Sequence, residues 1–170
     1  MTRTARLIAA IALAQLASGC AATLDRSQPV RPVTVGIAAI NDFHGALVPP
    51  RTSIVAPGAD GQSVPVPAGG AAWLASAVDN IRSRYPHHIT VAAGDLIGAS
   101  QLASSIYLDE PAIGVLNRTG LDLAAVGNHE FDLGRAELLR KQNGGCARHA
   151  ARQPCQIERF SGARFRYLAA

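Results

Sequence analysis

The chain holds 170 residues, about the size of one domain, which excludes a multidomain arrangement within this sequence. At 48% hydrophobic and 16% charged, with 16 Gly and 10 Pro, it fits neither disorder nor collagen nor coiled coil and reads as a folded, loop-rich domain. The formal charge of +4 is the excess of fifteen Arg and a single Lys over twelve acidic residues, and with only 5% aromatic residues the composition speaks against a base-stacking nucleic-acid platform.

Residues 1–19 place Arg3 and Arg6 ahead of an apolar run over 7–17, the pattern of a secretory signal peptide. The run is too short to cross about 30 Å of hydrocarbon as a helix. It ends in Leu16-Ala17-Ser18-Gly19-Cys20, which resembles a bacterial lipobox with Ala17 where Leu is usual. Two readings stay open, lipidation of Cys20 with a membrane anchor or ordinary cleavage near Ala22, and both export the protein to a periplasmic or membrane-anchored location. Cleavage before Cys20 leaves fourteen basic against twelve acidic side chains. Residues 20–32, with Pro29 and Pro32, read as a tether, and folding is expected over 33–170.

Residues 33–40 are apolar and rich in β-branched side chains, as in a strand buried on both faces. The run stops at Asn41-Asp42-Phe43-His44-Gly45 and enters a Pro/Gly/Ser-rich loop over 46–68, long enough to suggest a lid-like excursion. Over 71–85, Leu74, Val78, Ile81 and Tyr85 recur at helical spacing, and Pro86 ends the helix. A second buried-type strand over 89–93 runs into Gly94-Asp95. Asp109-Glu110-Pro111 opens a helix carrying Ile113 and Leu116, and Gly120 stops it. A third strand over 121–126 empties into Gly127-Asn128-His129-Glu130-Phe131-Asp132. A helix over 137–141 follows, stopped by Gly144-Gly145, and a last strand is expected over 165–168.

Alternating strands and helices predict an α/β fold with crossover helices. Ligands bind such sheets at the carboxyl ends of the strands, where all three polar clusters fall. Asp42 and His44 are good ligands for first-row metals, Asp95 has two oxygens with which to bridge two cations, and Asn128 adds a carbonyl oxygen. No Cys lies in these clusters, so the donor set favours Mn, Fe, Zn, Co or Mg and hydrolytic chemistry. Taken singly, Asp95 also reads as a turn residue and Asp132 as the N-cap of the next helix. His87, His88 and His149 match no motif and read as surface residues. The seven basic side chains over 140–170 read as a solvated stretch whose acidic partners lie elsewhere. Cys146 and Cys155, nine positions apart, are expected to form a disulfide in an oxidising compartment, two free thiols being the alternative.

In order, Asp42-Phe43-His44, Gly94-Asp95 and Gly127-Asn128-His129-Glu130 resemble the first three motifs of the calcineurin-like metallophosphoesterases. Asn-Asp-Phe-His-Gly at 41–45, Gly-Gly-Ala-Ala at 69–72 and Gly-Asn-His-Glu-Phe-Asp at 127–132 are similar to the bacterial 5′-nucleotidase and UDP-sugar hydrolase branch. The likeness extends from about residue 33 to the end. It implies the N-terminal portion of a two-sheet α/β sandwich and a site for two divalent metal ions. Asp42, His44 and Asp95 would hold one ion, and Asp95 and Asn128 a second. His129 would face the phosphate as proton donor or charge stabiliser, oriented by Asp132, while Glu130 has no catalytic role in this scheme. The implied activity is hydrolysis of a small phosphate ester, a nucleotide or nucleotide sugar, with later histidines and a nucleoside-gripping domain supplied by further chain. The alternative is a non-catalytic lipoprotein retaining half of the metal site. Nucleic acid is not expected as a partner, and oligomeric state is left open.

Overall fold

The computed structural model describes residues 31–169, so the expected signal segment and Cys20 lie outside the described residues. Of the expected tether, Arg31 and Pro32 are exposed and without regular structure. Strand β1 (Val35–Ile40) is followed by β2 (Ser53–Pro57) and β3 (Ser63–Pro67), then helix α1 (Gly70–Arg84) and strand β4 (His87–Ala92). Next come α2 (Leu102–Ser105), α3 (Glu110–Thr119), β5 (Leu123–Ala125), a single 3-10 turn (His129–Phe131), α4 (Gly134–Asn143) and β6 (Arg166–Leu168). Strands β1, β4, β5 and β6 form one parallel sheet in that order, so the expected α/β fold with crossover helices is present. Among the described residues no helix is long and apolar enough to cross a membrane.

The core lies between the sheet and α3. Ala112, Ile113 and Leu116 are fully buried on one face of α3, at the spacing a 3.6-residue turn requires, and pack with Leu96, Ala124 and Phe165. Pro111 sits in the first turn of α3, where its missing N–H costs nothing, and Gly120 ends the helix at φ 79° with its N–H on the Leu116 carbonyl. Helix α1 packs against β1 and β4 through Val78, with Leu74 half-buried beside it.

Four expectations need correction. The first two strands are not buried on both faces: β1 alternates, with Ala38 buried and Val35 and Ile37 more than half exposed. On β4, Thr90 and Ala92 are buried while Ile89 and Val91 are only partly covered. α1 covers one face, and among the described residues no element covers the other. The loop over 46–68 contains the antiparallel pair β2–β3, closed by a turn in which Gly58 donates to the Gln62 carbonyl at 2.7 Å. Pro57, Pro65 and Pro67 and the absence of a buried face hid this hairpin, since its Ile54 and Val55 stay exposed. The four-residue helix α2 was likewise not expected. Finally, Arg140 and Lys141 do not belong to a solvated stretch. Both are buried, Arg140 pairing with Glu110 and Glu137 at 2.7 Å and Lys141 pairing with Glu137.

Cys146 and Cys155 are joined in a disulfide, with Cα atoms 5.6 Å apart, as the spacing suggested.

Candidate functional site

Three adjacent strands, β1, β4 and β5, end side by side, and the polar clusters follow each of them. The loops are stitched together by their backbones: Asp42 N–H donates to Gly94 O, His44 N–H to Asp95 O and Gly45 N–H to Leu96 O, each at 3.1 Å. Asp42, His44 and Asp95 all have positive φ, at 50°, 44° and 51°. Side chains with a Cβ take this conformation only where their surroundings impose it, and such residues concentrate at functional sites.

One donor atom each from His44, Asp95 and His129 lies within 4.8 Å of the others, and the three side chains are half-buried. The two imidazoles meet edge to face with ring centroids 5.0 Å apart. His44 Nδ1–H donates to the Gly98 carbonyl at 2.7 Å, which fixes the tautomer and leaves Nε2 free. That Nε2 stands 3.7 Å from Asp42 Oδ1, so Asp42 opens onto the same point from a more exposed position. His129 Nδ1–H donates to Asp132 Oδ2 at 2.8 Å, again leaving Nε2 free. Asp132 does not cap the next helix, whose N-cap is Leu133, so its carboxylate is committed to the imidazole. The Asp132 hydrogen bond raises the His129 pKa above the usual imidazole value; partial desolvation opposes the rise, and the charges of Asp132, Asp95 and Glu130 add to it. Asn128 is exposed in the same loop and lies outside the three-residue group.

Close packing leaves no room for other residue types at two glycines. A Cβ on Gly127 would lie 2.6 Å from the Asp95 nitrogen and 2.7 Å from its carboxyl carbon. A Cβ on Gly98, where φ is 78°, would lie 2.7 Å from Asp132 Oδ2 and 2.8 Å from His129 Cβ. Open grooves flank the cluster. One, of about 450 Å³, runs past Asn41, Asp42, Gly69, Gly70 and the half-exposed Trp73. The other, of about 270 Å³, runs past Gly98, Asp109, Asp132 and Arg152.

Two residues without an expected role support the site from beneath. Asp109, buried, accepts from Gly98 N–H at 3.2 Å and Ser104 Oγ at 2.7 Å, and so holds the carbonyl-bearing residue that orients His44. Glu130, 3% exposed, accepts hydrogen bonds from the backbones of Asp95, Leu96 and Gly127. His44, Asp95 and His129 thus bring nitrogen and oxygen donors of the kind a divalent cation takes to one point, with the Asp42 carboxylate near His44.

No protein-family model matches the chain. Over 140 residues, 81% of the chain, it is 50% identical to an Acinetobacter calcoaceticus protein described as an uncharacterized protein in the pqq-V 5′ region, of which it spans 69%. It is 30% identical over 129 residues, 76% of the chain, to the NAD 5′-nucleotidase of Haemophilus influenzae, but spans only 21% of that protein. The solved structure of Haemophilus influenzae NAD nucleotidase superposes with a TM-score of 0.51 at 25% identity, over 68% of this chain and 21% of that one.

Proposed function

Because the chain belongs to the 5′-nucleotidase family of metallophosphoesterases, as its N-terminal part, we propose that it carries the cation-binding and acid–base groups of an exported hydrolase of nucleotide phosphoesters. One observation carries this reading: His44, Asp95 and His129 converge within 4.8 Å at adjacent strand ends, both imidazoles being held through Nδ1 with Nε2 free. Asp42, His44 and Asp95 would hold one divalent cation, and Asp95 and Asn128 a second. The identity of the metal, whether Mn, Zn, Fe, Co or Mg, is set by supply as much as by this donor set. When bound, such a pair supplies Lewis acidity toward a phosphoryl oxygen and an activated water.

The remaining work falls to the chain's own side chains. A donor atom of His129 converges with His44 and Asp95, and with its proton raised in affinity by Asp132 the imidazole can donate to a leaving oxygen near neutral pH. Asp132 keeps the imidazole from rotating. The groove beside Asp42 and Trp73 and the groove beside Asp132 and Arg152 give a substrate two directions of approach. Export and lipid anchoring rest on the Arg3–Cys20 pattern of the sequence.

The test is release of phosphate from a nucleoside 5′-monophosphate with added Mn²⁺, compared in the full chain, His129→Ala and Asp95→Ala. The reading predicts Mn²⁺-dependent turnover that falls on the order of 100-fold or more in both variants. A chain that takes up Mn²⁺ and releases no phosphate would favour the alternative, a non-catalytic lipoprotein that keeps half of the site.

A further inference from the structure

We propose that Glu130 is a positioning residue whose carboxylate locks the loop after β4 to the loop after β5, and that the cation affinity of the site depends on this clamp. The inference rests on the metal-binding reading above. Glu130 is 3% exposed and, among the described residues, makes no ion pair. A buried carboxylate without a cation is costly unless strong donors replace its lost hydration. Here three backbone amides do so. Oε2 accepts from Asp95 N–H at 2.9 Å and from Gly127 N–H at 2.7 Å, and Oε1 accepts from Leu96 N–H at 2.8 Å.

The placement of these donors makes the side chain a tie rather than a filler. Asp95 and Leu96 follow β4, whereas Gly127 follows β5, so one carboxylate spans two loops that the sheet brings together. The tie is closed a second time when His129 N–H donates to Asp95 Oδ1 at 3.0 Å. Asp95 holds φ 51°, an uncommon conformation for a residue with a Cβ, and the bond from its own N–H to Glu130 helps to hold it there. The candidate bridging ligand, Asp95, and the loop bearing Asn128 and His129 are thus set relative to one another by Glu130. It does not serve as a ligand itself: its oxygens are already engaged from three directions, and it stands outside the group of donor atoms that converge.

The experiment compares Mn²⁺ affinity in the full chain, Glu130→Gln, Glu130→Asp and the core variant Leu116→Ala, by calorimetric titration at a temperature where each is folded. Gln keeps the size of the side chain but offers one acceptor oxygen and turns an amide NH₂ toward a backbone N–H. Asp keeps the charge and is too short to reach both loops. The inference predicts Mn²⁺ affinity lower by about tenfold or more in both Glu130 variants, as expected when a group orienting a ligand is lost. Leu116→Ala is predicted to lose stability and retain wild-type affinity. In the unmodified chain, the amides of Asp95, Leu96 and Gly127 are predicted to resist hydrogen exchange even should a Glu130 variant fail to fold. Wild-type affinity in Glu130→Gln, or free exchange of those amides, would overturn this inference alone. No Mn²⁺ uptake by the unmodified chain would overturn the metal-binding reading with it.

Discussion

At the scale of single residues, the site is organised by the groups that occupy the second nitrogen of each imidazole. His44 gives its Nδ1 proton to Gly98 O and His129 gives its own to Asp132, so neither ring is free to turn. Gly127 matters in a different way, because it is the floor on which Asp95 rests. Gly127→Ala places a methyl 2.7 Å from the Asp95 carboxyl carbon, and the neighbour it meets is a backbone segment already held by Glu130. The expected result is a folded protein whose Mn²⁺ affinity is lower by about tenfold or more, measured by titration against the unmodified chain. Unchanged affinity would show that Asp95 is less tightly placed than its contacts imply. Asp42, His44, Asp95 and Asn128 stood out in the sequence because each follows the end of an apolar strand pattern, and His129 and Asp132 through the family resemblance; of these, the structure brings His44, Asp95 and His129 together. Glu130 and Asp109 did not stand out, because their partners are backbone N–H groups and a hydroxyl, most of them on other segments of the chain. Backbone donors carry no residue identity, so a carboxylate that serves them looks in the sequence like any solvated acid.

At the scale of elements, α3 and α4 are joined by buried charge. Arg140 on α4 reaches Glu110 on α3 and Glu137 one turn back, and Lys141 also pairs with Glu137. Burial by itself would raise the Glu137 pKa, but the hydrogen bonds from Arg140 and Lys141 outweigh it and hold the carboxyl below its ordinary range. A carboxyl depressed in the fold stabilises the protein above the unfolded carboxylate range, and that contribution is lost as pH falls through the depressed value. Glu137→Gln leaves two buried cations short of a partner, so it should cost about 3–5 kcal/mol at neutral pH in urea unfolding. The gap between variant and unmodified chain should narrow as the pH is lowered. A pH-independent gap would mean that packing, not charge, sets the effect. This pairing was hidden from sequence reading because Glu110 lies 30 positions from Arg140. Helix ends fared better: Pro111 and Gly120 marked α3 within a residue, since their backbone constraints act locally. The β2–β3 hairpin left no such mark, because its strands have no buried face to impose alternation.

For the molecule as a whole, the parallel sheet presents one face to α1 and α3 and leaves Val35, Ile37 and Leu168 largely exposed on the other. The chain spans 69% of its Acinetobacter relative and 21% of the Haemophilus NAD 5′-nucleotidase. The α/β class and the polar clusters at the strand ends followed from the alternation of strands and helices, whereas the spatial order of the strands and the exposed face did not. Apolar composition says that a strand is coverable, not that both its faces are covered. The Cys146–Cys155 bridge closes a loop of nine-residue separation in the connection from α4 to β6, and chain entropy assigns it about 2–3 kcal/mol. Reduction under native conditions should lower unfolding stability by that amount, measured by urea unfolding with and without reductant.

Cation binding by the three strand-end loops is the property on which the proposed chemistry depends. A calorimetric Mn²⁺ titration of the full chain and of Asp95→Ala addresses this directly, since Asp95 is the carboxylate that converges with both His44 and His129 and the one proposed to serve both cations. The account predicts saturable uptake by the unmodified chain and its loss in Asp95→Ala, with the variant still folded. No uptake by the unmodified chain, or equal uptake by both, would contradict it.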